Sequence, residues 1–502
     1  RDLTAIHSPA KAPMDSKSKA TVVFLPLPIR GHLISTVETA KLLLAGRHRD
    51  KFSVTVLTLP AFVPSTEMDA YTAAVAASGL DIRFEELPVP DGDPLTRGDE
   101  SSEAFISVYV DRHSPGVRDA VARLRRAPRP VAAMVMDFFS TAFIDVAAEL
   151  GVPPYIYFTT SASVLALMLY LPTLDVLVPS DFEDNVGNIQ VPGLPSPVPP
   201  MAMPKPVLRK KESSYTWFLY HARRFREARG ILVNTFSELE PAAVRAHEEG
   251  LFLPDHGAAA AVYPVGPNIA LDFVAGQEHE CLRWLDGQPP SSVVLLCFGS
   301  AGSFPEAQVK ETAEGLERSG QRFLWVLRSP PKGGRGMPTD TEDLGEVLPE
   351  GFRERTAGRG LVWPSWAPQV DVLAHPSTGG FVTHGGWNSC LEALWFGVPM
   401  LVWPLYAEQH FNASRMAGEL GVAVELKVDR KKGNFVAAAE VESGVRCLME
   451  EGFCEQGRKV RARAKEMKVA SRGALVEGGS SANSLERWAE ELARGVVPEV
   501  NV

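Results

Sequence analysis

The segment from Trp366 to Gln409 limits the possible folds of this chain more than any other stretch. Residues 380–383 (GFVT) form an apolar, β-prone run, and residues 384–389 (HGGWNS) begin with a glycine-containing turn. Apolar residues then recur at helical spacing until Gly397, a residue type that often ends a helix. The segment therefore predicts a strand, a glycine turn and a helix in close succession.

The predicted turn has the features of an anion-binding site. We expect Asn388 or Ser389 to be the N-cap of the helix, with Glu392 near its first turn. Free backbone N–H groups and the positive end of the helix dipole then point at one place, which suits a phosphate group. His384, at the carboxyl end of the strand, is expected to donate a further hydrogen bond to that group.

Length and composition exclude some classes of protein. The chain has 502 residues, enough for two or three domains, and its 45% hydrophobic and 22% charged residues are ordinary for a globular protein. A formal net charge of -10 argues against a nucleic-acid partner, which would favour a basic face. The best apolar run, residues 162–171, is about half the roughly 20 residues that a membrane span needs.

The cysteines are few, odd in number and without metal spacing. We predict that they are thiols packed as small apolar side chains in a cytoplasmic protein, which we expect to be a monomer. They are Cys281, Cys297, Cys390, Cys447 and Cys454.

The first half of the chain alternates apolar runs with helical patterns, which indicates a parallel sheet. After the first run, residues 28–32 (PIRGH) form a turn, and Ser35 and Glu38 have the spacing of a capping box. His32 therefore lies between a strand's carboxyl end and the next helix, where open α/β sheets bind ligands. The predicted strands are residues 20–27, 53–57, 81–84, 133–136, 155–158 and 231–234, and residues 262–267 close this half.

A second alternation of strands and helices begins at residue 293. Together the two halves predict an α/β protein with two Rossmann-like, doubly wound domains and a cleft between them. We interpret residues 1–13 as an expression leader, 14–265 as the first domain, 266–292 as a linker and 293–482 as the second domain. The predicted strands of the second domain are residues 293–298, 322–327, 361–363, 380–383 and 400–403, and its predicted helices are 305–319, 407–418 and 458–469, with a last helix at 483–494.

From end to end, the segment Trp366–Gln409 resembles the signature box of the plant secondary-product UDP-glycosyltransferases, which belong to glycosyltransferase family 1. Its aromatic, glycine, histidine and acidic positions all agree in spacing, whereas a short glycine-rich motif alone would be weak. The resemblance implies the GT-B architecture, in which residues 483–502 cross back onto the N-terminal, acceptor-binding domain. It also implies a UDP-sugar and a small aromatic or lipophilic acceptor as partners, with no cofactor.

The resemblance assigns the donor-binding residues. Trp366 would stack on the uracil, Ala367 and Gln369 would contact the base and ribose, and Glu392 would accept from the ribose hydroxyls. Relatives often have Asp at position 408, and Gln at position 409 is usually associated with UDP-glucose. The diphosphate would be bound by Ser300, His384, Asn388 and Ser389, and the sugar would be contacted by Trp387, Glu408 and Gln409.

Transfer to a hydroxyl group needs a base, and a neutral imidazole with a pKa near the working pH is the usual one. By the resemblance, His32 is this base and Asp137 is the carboxylate that orients it, as in the His–Asp part of a serine-protease triad. Without the resemblance, a distant His and Asp would be weak evidence for a pair. Attack on the face opposite UDP would invert the anomeric centre and give a β-glucoside.

The acceptor side is less determined. Four aromatic residues near these positions either line an apolar acceptor pocket or belong to the core, and the sequence favours neither. They are Phe138, Phe139, Phe158 and Tyr406. Residues 315–326 (GLERSGQRFLWV) resemble plant enzymes that act on flavonoids and other phenols, so we expect a phenolic O-glucoside. The aglycone, the hydroxyl attacked and the choice between oxygen, carbon, nitrogen and sulfur are left open.

Asp91-Gly92-Asp93 has the letters of an Asp-x-Asp metal motif but lies between two prolines, where Asp-Gly favours a turn, so we predict no metal. Three further interpretations stay open. One is a nucleotide-sugar-binding protein without transferase activity, although such a protein needs neither His32 nor Asp137. Another is transfer to a non-phenolic lipophilic acceptor. The third is a hydrolase, for which the Gly-x-Ser-x-Gly elbow is missing.

Overall fold

The structure is a computed structural model that describes residues 19–62, 64–90, 101–253, 260–271, 279–331 and 336–496. Two separate parallel sheets with helices between their strands dominate it, which confirms the predicted α/β class with two doubly wound sheets. The predicted leader, the Asp91-Gly92-Asp93 motif and part of the predicted linker lie outside the described residues.

The first sheet has seven strands in the order β3-β2-β1-β4-β5-β6-β7. They are Ala20–Leu25 (β1), Phe52–Thr58 (β2), Ile82–Glu86 (β3), Val131–Asp137 (β4), Pro154–Phe158 (β5), Gly230–Val233 (β6) and Ala261–Pro264 (β7). The α-helices of this half are Arg30–Leu43 (α1), Thr66–Ala77 (α2), Ser102–Arg112 (α3), Ser114–Arg125 (α4), Phe143–Glu149 (α5), Ala162–Leu177 (α6), Ser213–Arg224 (α7) and Pro241–Glu248 (α8).

The second half contains a six-stranded sheet in the order β12-β9-β8-β13-β14-β15 and a small antiparallel pair, β10 and β11. The strands are Val293–Cys297 (β8), Arg322–Val326 (β9), Arg328–Ser329 (β10), Thr339–Asp340 (β11), Gly360–Trp363 (β12), Thr378–Thr383 (β13), Met400–Val402 (β14) and Ala423–Glu425 (β15). The helices are Glu280–Asp286 (α9), Glu306–Ser319 (α10), Leu344–Val347 (α11), Phe352–Arg355 (α12), Gln369–Ala374 (α13), Trp387–Phe396 (α14), Gln409–Gly418 (α15), Ala438–Met449 (α16), Glu455–Leu475 (α17) and Ser480–Val496 (α18).

Each sheet is buried on both faces, and β1 shows how. Val22 and Phe24 belong to one apolar cluster, whereas the alternating residues Val23 and Leu25 belong to the cluster on the other face. A strand that is covered on both sides reads as a continuous apolar run, which is why the sequence pattern located it.

The topology brings particular loops together. Strands β1 and β4 are parallel neighbours, with Leu25 opposite Met136, and the strand order reverses between them. Strands β8 and β13 are the equivalent pair in the second sheet, with Cys297 opposite Thr383. Open α/β sheets bind ligands beyond the carboxyl ends of such strands. A ligand-binding site is therefore expected at the loops that follow these four strands.

The last helix, α18, returns to the first sheet. Trp488 is fully buried, and its ring meets the rings of Phe24 and Tyr155 edge-on at centroid distances of 6.4 and 5.9 Å. Glu491 on the same helix accepts a hydrogen bond from the Tyr155 hydroxyl at 2.8 Å. Helix α18 thus packs on the first sheet, as the GT-B resemblance implied.

The beginnings of two helices differ from the prediction. Helix α1 starts at Arg30, and the Ser35 hydroxyl inside it donates to the Gly31 carbonyl at 2.7 Å. The predicted capping box is therefore wrong, because Ser35 bonds back along a helix that has already begun. Helix α14 has Gly386 as its N-cap, two residues before Asn388, and ends at Gly397 as predicted.

The prediction of five thiols is also wrong. Cys447, at the end of α16, forms a disulfide with Cys454, which caps α17, whereas the other three cysteines are free and buried. A seven-residue separation places both sulfurs where these helices approach each other. None of the helices in the described part of the chain combines the length and apolar character that a membrane span needs.

Candidate active site

His32 and Asp137 meet at the switch point of the first sheet. His32 lies in the first turn of α1, directly beyond β1, and Asp137 is the last residue of the neighbouring strand β4. The His32 Nδ1 and the Asp137 Oδ2 are 2.6 Å apart. The other carboxylate oxygen of Asp137 accepts from the Phe139 backbone N–H at 3.0 Å, which fixes the carboxylate plane. Strand pairing thus brings together two residues that are far apart in the sequence.

The environment of this pair sets its proton affinity. Burial alone would lower the pKa of His32, but the charge and hydrogen bond of Asp137, with the charge of Glu408, raise it above the ordinary value of 6.5. The side chain of Asp137 is fully buried, whereas that of His32 is 19% exposed. The imidazole is therefore partly accessible, whereas the carboxylate is not.

Aromatic rings surround the histidine. Phe138 stacks on the His32 ring at a centroid distance of 5.7 Å, and Phe139 lies 6.3 Å from it. Phe158 contacts Phe138 at 5.0 Å but is itself fully buried in the core. Of these three predicted pocket residues, only Phe138 is partly exposed beside His32. The fourth, Tyr406, is in the other domain, 6.0 Å from the His384 ring.

A pocket between the two domains contains the residues predicted to bind a nucleoside. Trp366, Gln369, Asn388 and Glu392 line it from the second domain. Gln369 begins α13, and its amide donates to Glu392 Oε2 at 2.6 Å and to the Ser389 hydroxyl at 3.0 Å. Burial raises the pKa of Glu392 despite this bond and the charge of Arg30. Ala367 is buried next to Trp366. The structure thus presents an aromatic ring and a carboxylate to one cavity.

His384 occupies the switch point of the second sheet, directly after β13. Burial lowers its pKa to about 4, so the imidazole is neutral at ordinary pH. A Cβ atom at Gly299 would lie 2.7 Å from the His384 Nε2, and one at Gly386 would lie 2.5 Å from it. A side chain at either position would clash with the ring unless the ring moved, so both glycines allow the backbone to lie close to it. Ser300 follows Gly299 and is exposed.

The turn after β14 lies between the two histidines. Glu408 caps α15, and its carboxylate accepts from the Thr160 hydroxyl of the first domain at 3.3 Å. Burial raises the pKa of Glu408, and the charge of His32 opposes this rise. The side-chain oxygen of Gln409 accepts from the backbone N–H groups of Leu405 and Tyr406, each at 2.9 Å. Of the residues predicted to contact a sugar, Glu408 therefore lies within electrostatic reach of His32, whereas the side chain of Gln409 is buried and bonded to its own turn.

The chain resembles known proteins along most of its length. Residues 266–452 match the model of the family described as UDP-glucoronosyl and UDP-glucosyl transferase. A malvidin galactosylase of Oryza sativa subsp. indica is 49% identical over 485 residues, which are 95% of this chain and 98% of that protein. The chain belongs to the plant UDP-glycosyltransferases.

Further comparisons agree with this assignment. The anthocyanidin 3-O-glucosyltransferase 1 of Manihot esculenta is 43% identical over 488 residues, with 93% of this glycosyltransferase and 100% of the relative covered. The structure of Phytolacca americana UGT2 complexed with UDP-2fluoro-glucose and pterostilbene matches with a TM-score of 0.82 at 36% identity, over 94% of this chain and 100% of that one. The two-domain architecture of the glycosyltransferase is thus that of solved family members.

One residue predicted for the sugar is not presented to the cleft. The indole N–H of Trp387 donates to the Asn234 carbonyl at 2.6 Å, and the side chain is buried between the domains. Asn388 is also used in this contact, since its amide donates to the Gly31 carbonyl and accepts from Asn234, each at 2.9 Å. Both side chains of the glycosyltransferase therefore join its domains, and Asn388 still lines the pocket.

The residues that the first domain contributes to the donor side were not predicted from the sequence. Asn234 follows β6 and bonds to both Trp387 and Asn388, while Arg30 and Gly31 line the pocket opposite Glu392. Position at the carboxyl end of a strand was an available signal for Asn234, as it was for Asp137. Nothing in the sequence around Arg30 indicates which residues of the other domain it faces.

Proposed function

We propose that this glycosyltransferase moves glucose from UDP-glucose to a hydroxyl group of a small phenolic acceptor, with inversion and without a metal. The observation that carries the proposal is the hydrogen bond of 2.6 Å between His32 and Asp137, on the cleft side that faces Glu408. A buried carboxylate at Nδ1 makes Nδ1 the protonated nitrogen and leaves Nε2 to accept a proton.

The reaction follows from this arrangement. An acceptor hydroxyl held against His32 transfers its proton to Nε2 while its oxygen forms a bond to the anomeric carbon. The bond from that carbon to the diphosphate oxygen breaks on the opposite face, and its electron pair leaves with UDP. Asp137 stabilises the imidazolium that forms, as a carboxylate does in a His–Asp pair. An α-linked donor thus gives a β-glucoside.

The leaving diphosphate needs stabilisation at the second switch point. His384 is neutral and keeps an N–H for donation, and α14, whose first N–H groups could bind an anion, begins three residues after it. The absence of a side chain at Gly299 and Gly386 lets the backbone on both sides approach this ring closely. Trp366 and Glu392 would hold the uridine, because an aromatic face suits the base and a carboxylate suits the ribose diol.

Identity of the donor sugar rests on Gln409, which the resemblance associates with UDP-glucose. The named activity of the rice relative, a galactosylase at 49% identity, supports UDP-galactose as the alternative donor. Supply of the two donors separately, each with the same acceptor, decides between them.

The acceptor assignment rests on the aromatic wall beside His32 and on what the relatives are named for. Phe138 offers a stacking surface next to the base, which suits a planar aromatic molecule. One relative is named for anthocyanidin and one for malvidin, and the similar solved structure holds pterostilbene. A phenol is also more acidic than an alcohol, so a histidine base suffices.

The test is acceptor-dependent release of UDP from UDP-glucose, measured with a panel of flavonoids and simple phenols in the presence of EDTA. We expect release only with acceptor present, together with a product heavier by one hexose in mass spectrometry. UDP binding without release for every acceptor and both donors would contradict the proposal. Release that returns only on addition of magnesium would show that the metal-free part is wrong.

A further inference from the structure

The nucleotide pocket has an arginine on the wall formed by the acceptor-binding domain. Arg30, the first residue of α1, lines the pocket together with Gly31, opposite Gln369 and Glu392 of the other domain. Gly31 is in direct contact with the predicted diphosphate ligand Asn388 through a hydrogen bond of 2.9 Å. The arginine therefore adjoins a residue that contacts Asn388, and it lies two positions before His32 in the chain.

Without Arg30, the described charged residues that line the pocket would all be acidic, and the negative charge of a dianionic ligand would not be neutralised. Glu67, Asp371 and Glu392 line the pocket, and Arg30 is the one Lys or Arg among the described residues that do so. His384 does not supply a positive charge, since its pKa is about 4. The diphosphate of a UDP-sugar is doubly charged and gains charge as the glycosyl bond breaks. A nearby cation is the usual compensation for such a group.

Glu67 holds the side chain of Arg30 in place but does not use all of its hydrogen-bond donors. Its Nε donates to Glu67 Oε1 at 2.9 Å, and its Nη2 lies 2.8 Å from the same oxygen. No described residue is bonded to Nη1, and the side chain is 32% exposed. The charge of Arg30 also acts on Glu392, which places the guanidinium within electrostatic reach of the ribose-binding carboxylate.

We propose that Arg30 binds the diphosphate of the donor from the acceptor-binding domain and that Glu67 fixes its orientation. This inference rests on the proposed function only in taking a nucleoside diphosphate as the ligand. Both domains would then contribute to the donor site. The second domain would supply the start of α14 and the neutral His384, and the first would supply the Arg30 guanidinium. A substitution at Arg30, in the domain that binds the acceptor, would then weaken binding of the UDP-sugar.

The test compares UDP with uridine, because only UDP carries the diphosphate. Isothermal titration measures both ligands on the full-length wild type, on Arg30→Met and on the matched control Arg118→Met. Arg118 forms an exposed ion pair with Glu149 on the same domain, at 2.8 Å. We expect Arg30→Met to weaken UDP binding at least about tenfold, since a charge-assisted hydrogen bond is lost, and to change uridine binding less than about twofold. The control should change neither.

Two further variants keep the result interpretable if Arg30→Met folds poorly. Arg30→Lys retains the charge and should recover part of the UDP affinity, and Glu67→Gln should weaken UDP binding by a smaller factor than Arg30→Met. Equal losses for UDP and uridine, or unchanged UDP binding in Arg30→Met, would overturn the inference. These outcomes are independent of transfer, so a wild type that binds UDP but releases none would contradict the proposed function alone.

Discussion

The two sheets each have a histidine at the switch point, and the two histidines have opposite proton affinities. His32 follows β1, contacts Asp137 at 2.6 Å and has a raised pKa. His384 follows β13, contacts the Thr383 hydroxyl at 3.4 Å and has a pKa lowered to about 4 by burial. The same place in the fold therefore holds a histidine with a raised pKa in the first domain and a neutral imidazole in the second.

Both histidines are buried, and the residue that ends the neighbouring strand distinguishes their pKa values. Strand β4 ends in Asp137, whereas β8, the equivalent neighbour of β13, ends in Cys297, two residues before Gly299. A carboxylate at the first position favours the imidazolium, and a glycine at the second leaves space without supplying charge. One topology thus accommodates two histidines with opposite pKa shifts, which supports the proposed roles of base and phosphate ligand.

Replacement of His32 by alanine should have the largest effect on transfer. We expect kcat to fall about 10²- to 10⁴-fold, since a general base is lost, while the affinity for UDP changes little. Steady-state kinetics and titration with UDP check the two parts. His375→Ala is the matched control, because His375 also pairs with a carboxylate, Asp286 at 3.2 Å, outside the cleft. Near wild-type transfer by His32→Ala would show that His32 is not the base.

Asp137→Asn should come next and should change the pH profile. In the wild type, kcat/KM should fall as the pH drops through the raised pKa of His32, above 6.5, because the imidazolium cannot accept a proton. Loss of the carboxylate should lower the rate about 10- to 100-fold and move this limb to lower pH. Rates measured from pH 5 to 9 check both effects. A limb that stays in place in the variant would mean that Asp137 does not set the pKa of His32.

His384→Ala should weaken the donor side without altering the pH profile. We expect about a tenfold loss of UDP affinity, since one hydrogen bond to a charged group is lost. With a pKa of about 4, His384 does not titrate between pH 6 and 9, so the defect should be constant across that range. A defect that grows or shrinks through this range would show that His384 carries a proton in the wild type.

Glu392→Gln should have the smallest effect of the four. The amide keeps one oxygen that can accept from the ribose but loses the charge that Gln369 contacts at 2.6 Å. We expect the KM for the UDP-sugar to rise about three- to tenfold with little change in kcat, because ribose contacts are the same in the ground and transition states. A fall in kcat without a rise in KM would contradict the placement of Glu392 at the ribose.

The sequence predicted the sheets well because their strands are buried on both faces. The runs at residues 20–27 and 293–298 are continuous and apolar, and both are strands in the structure. The three-residue strand β15 was not predicted, although the equally short strand β14 was located by its apolar run. The start of α1 was predicted at Ser35 because a helix interior and a capping box share the same residues there.

The parts of the candidate site that lie within the segment Trp366–Gln409 were predictable from the sequence. The contacts between the two domains were not. Gln369, Ser389 and Glu392 lie within one short segment, and the structure brings them into hydrogen-bond contact. Trp387 was assigned to the sugar, yet its indole is used in the contact with Asn234, which is 153 positions away. Such a contact depends on how two sheets are placed relative to each other, and no spacing within either segment encodes that.

The most direct test of the account is a proton titration of His32 and His384 in the same protein. Carbon-13 labelling of the eleven histidines, with assignment from His32→Ala and His384→Ala, allows each imidazole to be followed by NMR from pH 4 to 9. The account predicts that His32 titrates above 6.5 and that His384 stays neutral down to about pH 4. Equal pKa values for the two histidines, or the reverse order, would contradict the division into base and phosphate ligand.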